Sequence, residues 1–320
     1  MVLEALSARR SASAVPISPV SAQELDAWTK KQPSQTGQWL RASGFQAAPG
    51  TFCLIPDATN TVGRVVVGTG EPVGLWDLAG LPENLPSGHY SLDRRLPADR
   101  AELVALGWAL GSYRFARYKT GNDKKNLPAI LEWPKNCDRP AVERAALATF
   151  LVRDLATTPA ADMGPVELAS AARKLAREHK ATCTVTVGDN LLKKNYPLIH
   201  AVGRASDRAP RLIDLRWGPA RAPKLSIVGK GVCFDSGGLD LKPSSNMLLM
   251  KKDMSGGAHA LGLARMIMMA GLKVRLRVLI PAVENSVSGN AFRPSDVLSS
   301  RSGLTIEVGN TDAEGRLVMA

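Results

Sequence analysis

Two stretches of the 320-residue chain gather residue types that folding alone does not require. Residues 224–253 contain Lys230, Asp235, Lys242 and Asp253 among glycine-rich turns, and residues 310–316 (NTDAEGR) contain Asp312, Glu314 and Arg316. Asp235, Asp253, Asp312 and Glu314 would repel one another if buried together without cations, and divalent metal ions supply that neutralisation. Asp312 and Glu314 are two apart, so an extended segment projects both to one side, with Arg316 continuing the row. Two metals bridged by shared carboxylates, about 3.5 to 4 Å apart, generate hydroxide from water and polarise a carbonyl. A lysine close to such ions sheds its proton and becomes an amine ligand; slightly further out it stays charged and stabilises a developing oxyanion.

Each residue also has a plainer reading. Asp253 precedes a predicted helix and could serve as its cap; Gly237 and Gly238 permit a tight turn. Asp312 and Glu314 could be surface charges, Lys242 a solvated loop lysine and Arg316 an ion-pair partner. Cys233 reads as a small buried side chain, His259 as packed or solvent-facing, and Asp240 as turned away by alternation along 239–241. None of these three is counted as a ligand.

The elements that must position these groups follow from periodicity. Residues 165–180 begin with proline and place Leu168, Ala171, Ala172 and Leu175 on one face, predicting an amphipathic helix. Residues 255–270 read as a Gly/Ala-rich helix ending at Gly271. Strands are expected at 182–187, 211–215, 225–228, 273–283 and 304–308. Strands alternating with helices imply a doubly wound, mixed but mostly parallel sheet, whose ligands gather beyond the carboxyl ends of its strands. Lys230 and Asp235 follow one such strand and Asp312, Glu314 and Arg316 another, which would let the clusters meet.

The amino-terminal part, rich in Pro and Gly, predicts a small α/β domain over 1–139, with strands at 50–56 and 64–68 and a helix at 98–116. Trp39, Trp76, Trp108 and Trp133 read as packing residues and His89 as a loop histidine. A helix over 140–156 links this domain to a catalytic domain over 157–320; Pro159 stops it.

Composition narrows the class. Forty-one basic against 29 acidic residues give a net charge of +12, which favours anionic partners such as nucleic acid or lipid. No aromatic-interleaved basic run or nucleic-acid motif accompanies it, so a solvated basic surface is the preferred reading. Four scattered cysteines without a CxxC pair suit a reducing, cytoplasmic setting. No apolar run approaches the ~18 residues of a membrane span. Arg9, Arg10 and nearby serines are the sole hint of a transit peptide.

The blocks taken jointly are more specific than any residue. In order they are Val228-Gly229-Lys230-Gly231, Phe234-Asp235-Ser236-Gly237-Gly238, Leu241-Lys242-Pro243, Met250-Lys251-Lys252-Asp253-Met254 and Asn310-Thr311-Asp312-Ala313-Glu314-Gly315-Arg316-Leu317. This series closely resembles the leucyl (cytosol) aminopeptidase family, whose signature is the NTDAEGRL octapeptide. The resemblance implies a two-metal exopeptidase acting on peptides with a free amino terminus. Lys230, Asp235, Asp253 and Glu314 would hold the tighter metal; Asp235, Glu314 and Asp312 with its backbone carbonyl would hold the exchangeable one. Zn or Mn are the leading ions, with Mg or Co as further candidates. Lys242 would donate to the scissile carbonyl oxygen, and Arg316 would anchor a bicarbonate that takes a proton from the attacking water. Met250 matches a position lining the pocket for the first, leucine-like side chain, and Asn310 and Ala313 match positions flanking the leaving residue. The resemblance also implies a homo-hexamer, and some members of the family bind DNA.

The family's catalytic domain continues beyond the octapeptide, whereas this sequence stops four residues after Arg316. The expectation is therefore a domain incomplete at its carboxyl terminus, with missing strands, an open sheet edge and uncovered apolar surface, a doubtful hexamer, and poor solubility or activity. The alternatives are a catalytically impaired fragment, a nucleic-acid-binding protein, or a two-metal phosphoesterase; the octapeptide and Lys230 as an amine ligand argue against the last.

Overall fold

Runs of Val, Ile and Leu build two main sheets in the chain, a computed structural model of which describes residues 3–120 and 129–320. The chain divides into two compact units, Met1–Leu147 and Ala148–Ala320.

The first unit holds β1 (Leu6–Ser7), β2 (Val15–Ser21), β3 (Phe52–Pro56), β4 (Val62–Thr69), β5 (Gly88–Leu92) and β6 (Ala129–Glu132) in the order β1-β6-β5-β2-β4-β3. Among the described residues only β3 runs antiparallel to its neighbour. Among the described residues four helices accompany it: α1 (Leu25–Thr29), α2 (Ser34–Ala42), α3 (Leu81–Asn84) and α4 (Ala98–Gly111). Trp108 is fully buried on α4, 6.2 Å from the ring of Tyr90. Trp39 and Trp76 depart from the packing expectation, with 46% and 61% of their surfaces exposed; Trp39 spends its indole N–H on the Leu54 carbonyl at 2.9 Å. His89 lies within β5, where ladder pairing overrides the local Pro/Gly signal.

Helix α5 (Arg139–Thr157) leads into the second unit. There α6 (Pro165–Glu178) starts with proline at a position that has no helical N–H to lose, and Glu167 accepts the Gly164 N–H at 3.1 Å. The sheet contains β7 (Thr182–Val187), β8 (Arg211–Trp217), β9 (Lys224–Val228), β10 (Gly231–Asp235) and β11 (Arg275–Asn285). Two short helices, α7 (Asn190–Lys193) and α8 (Pro197–Gly203), lie between β7 and β8; α9 (Ser244–Met247) and α10 (Ser255–Met269) lie between β10 and β11. The order is β10-β11-β8-β7, with β9 also pairing β11. β9, β10 and β11 are mutually parallel, β8 opposes them, and β7 opposes β8. Four of the five strands thus share one direction, giving the mixed, mostly parallel sheet.

Both faces are covered. Ile213, Leu215, Leu276, Val278 and Ile280 pack with Leu168, Ala172 and Leu175 of α6 and with Ala258, Leu261 and Ala264 of α10. On the other face Leu212, Val232 and Val283 pack with α8 and with α11 (Glu314–Met319). Among the described residues β9 and β10 pair with β11 alone, and Leu225, Val228, Leu241, Leu248 and Leu249 are exposed. The stretch expected as a strand at 304–308 becomes β13 (Thr305–Glu307), which pairs with β12 (Val297–Ser299) in a separate two-stranded ladder. It therefore does not deliver Asp312 and Glu314 from the main sheet, and their approach to Asp235 has another cause.

No helix among the described residues is long and apolar enough to cross a membrane.

Candidate active site

Asp235 reaches the site through an irregularity in β10. The ladder pairs Gly231 with Ala282 and Val232 with Val283, then skips to Phe234 with Glu284 and Asp235 with Asn285. Cys233 is the extra residue, and a bulge of this kind re-aims the side chains after it. Strict alternation would place Asp235 with Gly231 and Cys233 on the α6/α10 face; the shift aligns it with Asn285 on the α11 face instead. Cys233 itself is buried in the α6/α10 core, with its thiol pushed up by burial, in keeping with a packing role.

The loop after Asp235 closes on itself. Gly237 N–H donates to Asp235 Oδ1 at 2.9 Å and Lys242 N–H to the Ser236 carbonyl at 3.0 Å. Gly237 and Gly238 take φ of 90° and 69°, conformations that cost other residues dearly. Asp240 holds the other half of the site: its Oδ2 accepts the Thr311 N–H at 2.6 Å. The Thr311 hydroxyl donates to the Gly237 carbonyl at 2.6 Å and accepts the Asp240 N–H at 2.8 Å. Asn285 adds a third tie, its Nδ2 donating to Asp235 Oδ1 at 2.9 Å and to the Thr311 carbonyl at 3.1 Å. Sequence reasoning missed Thr311 and Asn285. Asn285 falls beyond the expected end of its strand, and Thr311 sits unremarked inside the octapeptide.

These ties bring oxygens of Asp235, Asp312 and Glu314 within 4.8 Å of one another. Asp253 joins from a 3-10 turn (Met250–Met254) and caps no helix. Lys230 lies between Asp253 and Glu314, with Nζ 2.6 Å and 2.7 Å from their oxygens. Lys242 bridges Asp235 at 3.0 Å and Asp312. Burial pulls both ammonium groups down, but the bonds to these carboxylates outweigh it and hold them above the ordinary lysine value. Glu314 is 1% exposed, and burial pushes its carboxyl up. Among the described residues Lys230 is the only cation on Glu314 Oε1 and Asp253 Oδ2, and Glu314 Oε2 has no hydrogen-bond partner. Buried carboxylate oxygens in such a state cost free energy unless a cation meets them, so this oxygen-rich donor set with one amine fits divalent metal.

Asn310 Oδ1 accepts the Asp312 N–H at 2.6 Å and so caps the turn that carries the octapeptide. A cavity of about 520 Å³ opens beside Asn310, Asp312, Ala313 and the exposed Arg316. Met250 is half-buried at the start of the Asp253 turn and is not part of that cavity wall. His259 is exposed, its ring bonded to the Ser255 carbonyl at 2.7 Å.

Residues 150–320 match the family model described as "Cytosol aminopeptidase family, catalytic domain", and residues 15–129 match "M17 aminopeptidase, N-terminal domain". The chain belongs to the cytosol aminopeptidase family. A probable cytosol aminopeptidase of Wolinella succinogenes is 39% identical over 232 residues, covering 68% of this chain and 48% of its own length. The crystal structure of the cytosol aminopeptidase from Coxiella burnetii superposes with a TM-score of 0.92 at 45% identity, covering 98% of this chain and 68% of that one. The bottromycin maturation enzyme BotP in complex with Mn gives a TM-score of 0.83 at 32% identity, covering 97% of this chain and 68% of that one. The chain thus spans about half the length of the curated relatives it first matches.

Proposed function

We propose that this cytosol aminopeptidase chain carries the two-metal site of an enzyme that removes leucine-like residues from the amino terminus of peptides. The observation that carries this reading is the gathering of Asp235, Asp312 and Glu314 oxygens within 4.8 Å of one another, with only Lys230 and Lys242 among the described residues to offset their charge and a buried Glu314 oxygen left without a donor.

In this reading Lys230, Asp235, Asp253 and Glu314 hold the tighter ion, and Asp235, Asp312 and Glu314 the exchangeable one. When bound, the ions lower the pKa of water and polarise the scissile carbonyl. The chain's own groups do the rest. Lys230 would release its proton to solvent on metal binding and serve as an amine donor, leaving Glu314 and Asp253 to the ion in place of the ammonium they now face. Lys242 exchanges its contacts with Asp235 and Asp312 for the substrate carbonyl oxygen, donating as charge grows there. Arg316, exposed at the cavity beside Asp312, would hold a bicarbonate, whose chemistry would be that of a proton acceptor. Met250 bounds the first side chain, while Asn310 and Ala313 flank the leaving residue. Zn or Mn are the preferred ions, and the Mn complex of BotP supports manganese. Residues 157–320 form the catalytic domain, joined through 140–156 to a separate domain over 1–139; a cytoplasmic location belongs to the same reading.

The test compares Lys242→Ala with Asp253→Ala. Calorimetric titration with Mn²⁺ is expected to show a loss of affinity of tenfold or more for Asp253→Ala and little change for Lys242→Ala. Turnover of Leu-p-nitroanilide falls on the order of 10²-fold or more for Lys242→Ala, the usual size for a lost oxyanion donor. Equal metal loss in both variants would sink the assigned roles. Metal binding without any hydrolysis by the parent chain favours the impaired-fragment reading, and hydrolysis of p-nitrophenyl phosphate instead of the amide favours a phosphoesterase.

A further inference from the structure

The sheet of the second unit has a second concavity, at the end away from Asp235. Strand β11 runs from Arg275 at this end to Asn285 at the other, about 33 Å at roughly 3.3 Å per residue. The concavity has a volume of about 490 Å³, and its wall contains Lys180, Arg216, Lys224, Arg275 and Arg277 without a single carboxylate. Register explains the grouping. Arg216 pairs with Thr182 on one side and Arg277 on the other, Arg277 also pairs with Ser226, and Arg275 pairs with Lys224 one row below. Cross-strand partners point to the same face, so β8 and β9 with β11, some fifty residues further on, deliver one grid of positive charge.

Asp214, one step deeper on β8, organises two of these cations. Arg216 and Arg277 each donate Nε and Nη2 to it, at 3.1 Å and 2.8 Å. Among the described residues neither Nη1 has a partner, and Lys180 and Lys224 make no ion pair. Five cations against one carboxylate leave a surplus that repels itself until an anion arrives.

We propose that this groove binds a small molecule bearing two or more phosphate groups. Its volume lies within the roughly 300–1,000 Å³ of small-ligand sites. Guanidinium forks suit phosphate oxygens, and Asp214 pre-orders two of them. The Arg216–Arg277 and Arg275–Lys224 rows are about 7 Å apart along the strands, further than one tetrahedral anion spans. A nucleic-acid strand would ask for successive aromatic platforms; Trp217 is the lone aromatic residue of the wall, and it packs against the α6/α10 core. The groove is independent of the metal site.

The test is calorimetric titration of the full chain with sodium tripolyphosphate at physiological ionic strength, with and without EDTA. The expected result is saturable 1:1 binding that survives EDTA, exceeds orthophosphate affinity at least tenfold, and weakens at least tenfold in Lys224→Gln/Arg275→Gln. Both positions are exposed; far-UV circular dichroism and melting temperature check the fold, and Lys224→Gln alone, with a loss of threefold or more, serves if the pair misfolds. Absence of saturable heat, binding that EDTA abolishes, or equal affinity in the variant overturns the proposal. So does a duplex oligonucleotide that displaces tripolyphosphate at lower concentration, which would make nucleic acid the ligand.

Discussion

Asp240 and Thr311, 71 residues apart, clasp the two halves of the candidate site through a reciprocal pair of bonds, Thr311 N–H to Asp240 Oδ2 at 2.6 Å and Asp240 N–H to Thr311 Oγ1 at 2.8 Å. Thr311 is completely buried, and its hydroxyl also serves the Gly237 carbonyl. Thr311→Val keeps the shape and leaves the Asp240 N–H and Gly237 carbonyl without their partner. Stability is expected to fall by about 2 kcal/mol in urea unfolding, within the usual cost of unsatisfied buried groups. Thr311→Ser restores most of it. A valine variant as stable as the parent would show that the clasp contributes nothing.

Asn285 orients Asp235 from behind, 1% exposed and bonded to both Asp235 and the Thr311 carbonyl. Groups that position metal ligands in this way are worth roughly 10–100-fold in metal affinity. Asn285→Ala is therefore expected to weaken Mn²⁺ binding by tenfold or more in calorimetry, with a smaller change in melting temperature than Thr311→Val. Unchanged affinity would reduce Asn285 to a packing residue.

Gly229 precedes Lys230 at the junction of β9 and β10, where the strand passes the start of α10. A Cβ there would lie 2.5 Å from the Gly256 carbonyl oxygen and 2.8 Å from its carbon. Backbone cannot swing aside as a side-chain tip can, so Gly229→Ala must push α10 away from the strand. The expected loss is about 1–3 kcal/mol of stability, read by denaturant unfolding, together with reduced metal binding through the displaced Lys230. Gly271→Ala is the converse case, in which a Cβ meets open space but φ is 62°, so its cost is backbone strain without collision, whereas Gly229 is not left-handed and its cost is collision alone.

Asp214 supplies a pH dependence away from the metal site. Burial pushes its carboxyl up, but the forks of Arg216 and Arg277 outweigh this and hold it below the ordinary carboxylate range. A depressed folded value means that the stabilisation is fully present above the unfolded value of about 4 and is lost as pH falls through the folded value. Both arginines are substantially exposed, so Asp214→Asn is expected to cost only about 1 kcal/mol at pH 7. Urea titrations at pH 7 and pH 3 check this: the gap between parent and variant narrows at the lower pH, and a constant gap refutes the assignment.

The sequence by itself determined the chemical inventory and the helix faces. Four carboxylates and two lysines in ordered blocks pointed to a paired-metal site, and the period of 165–180 yielded the buried face of α6, Leu168, Ala172 and Leu175, because helix periodicity is local. Tertiary structure decided how those groups meet. The extra residue at Cys233 resets the side-chain alternation that would have put Asp235 on the wrong face. The 304–308 strand left the main sheet for a ladder of its own, so the octapeptide arrives through Asp240, Thr311 and Asn285. The basic groove was equally hidden, as residues 182, 216, 226 and 277 become neighbours only through ladder register. Bulges and long-range pairing depend on which strands find each other, a cooperative outcome of packing the whole sheet that no window of sequence contains.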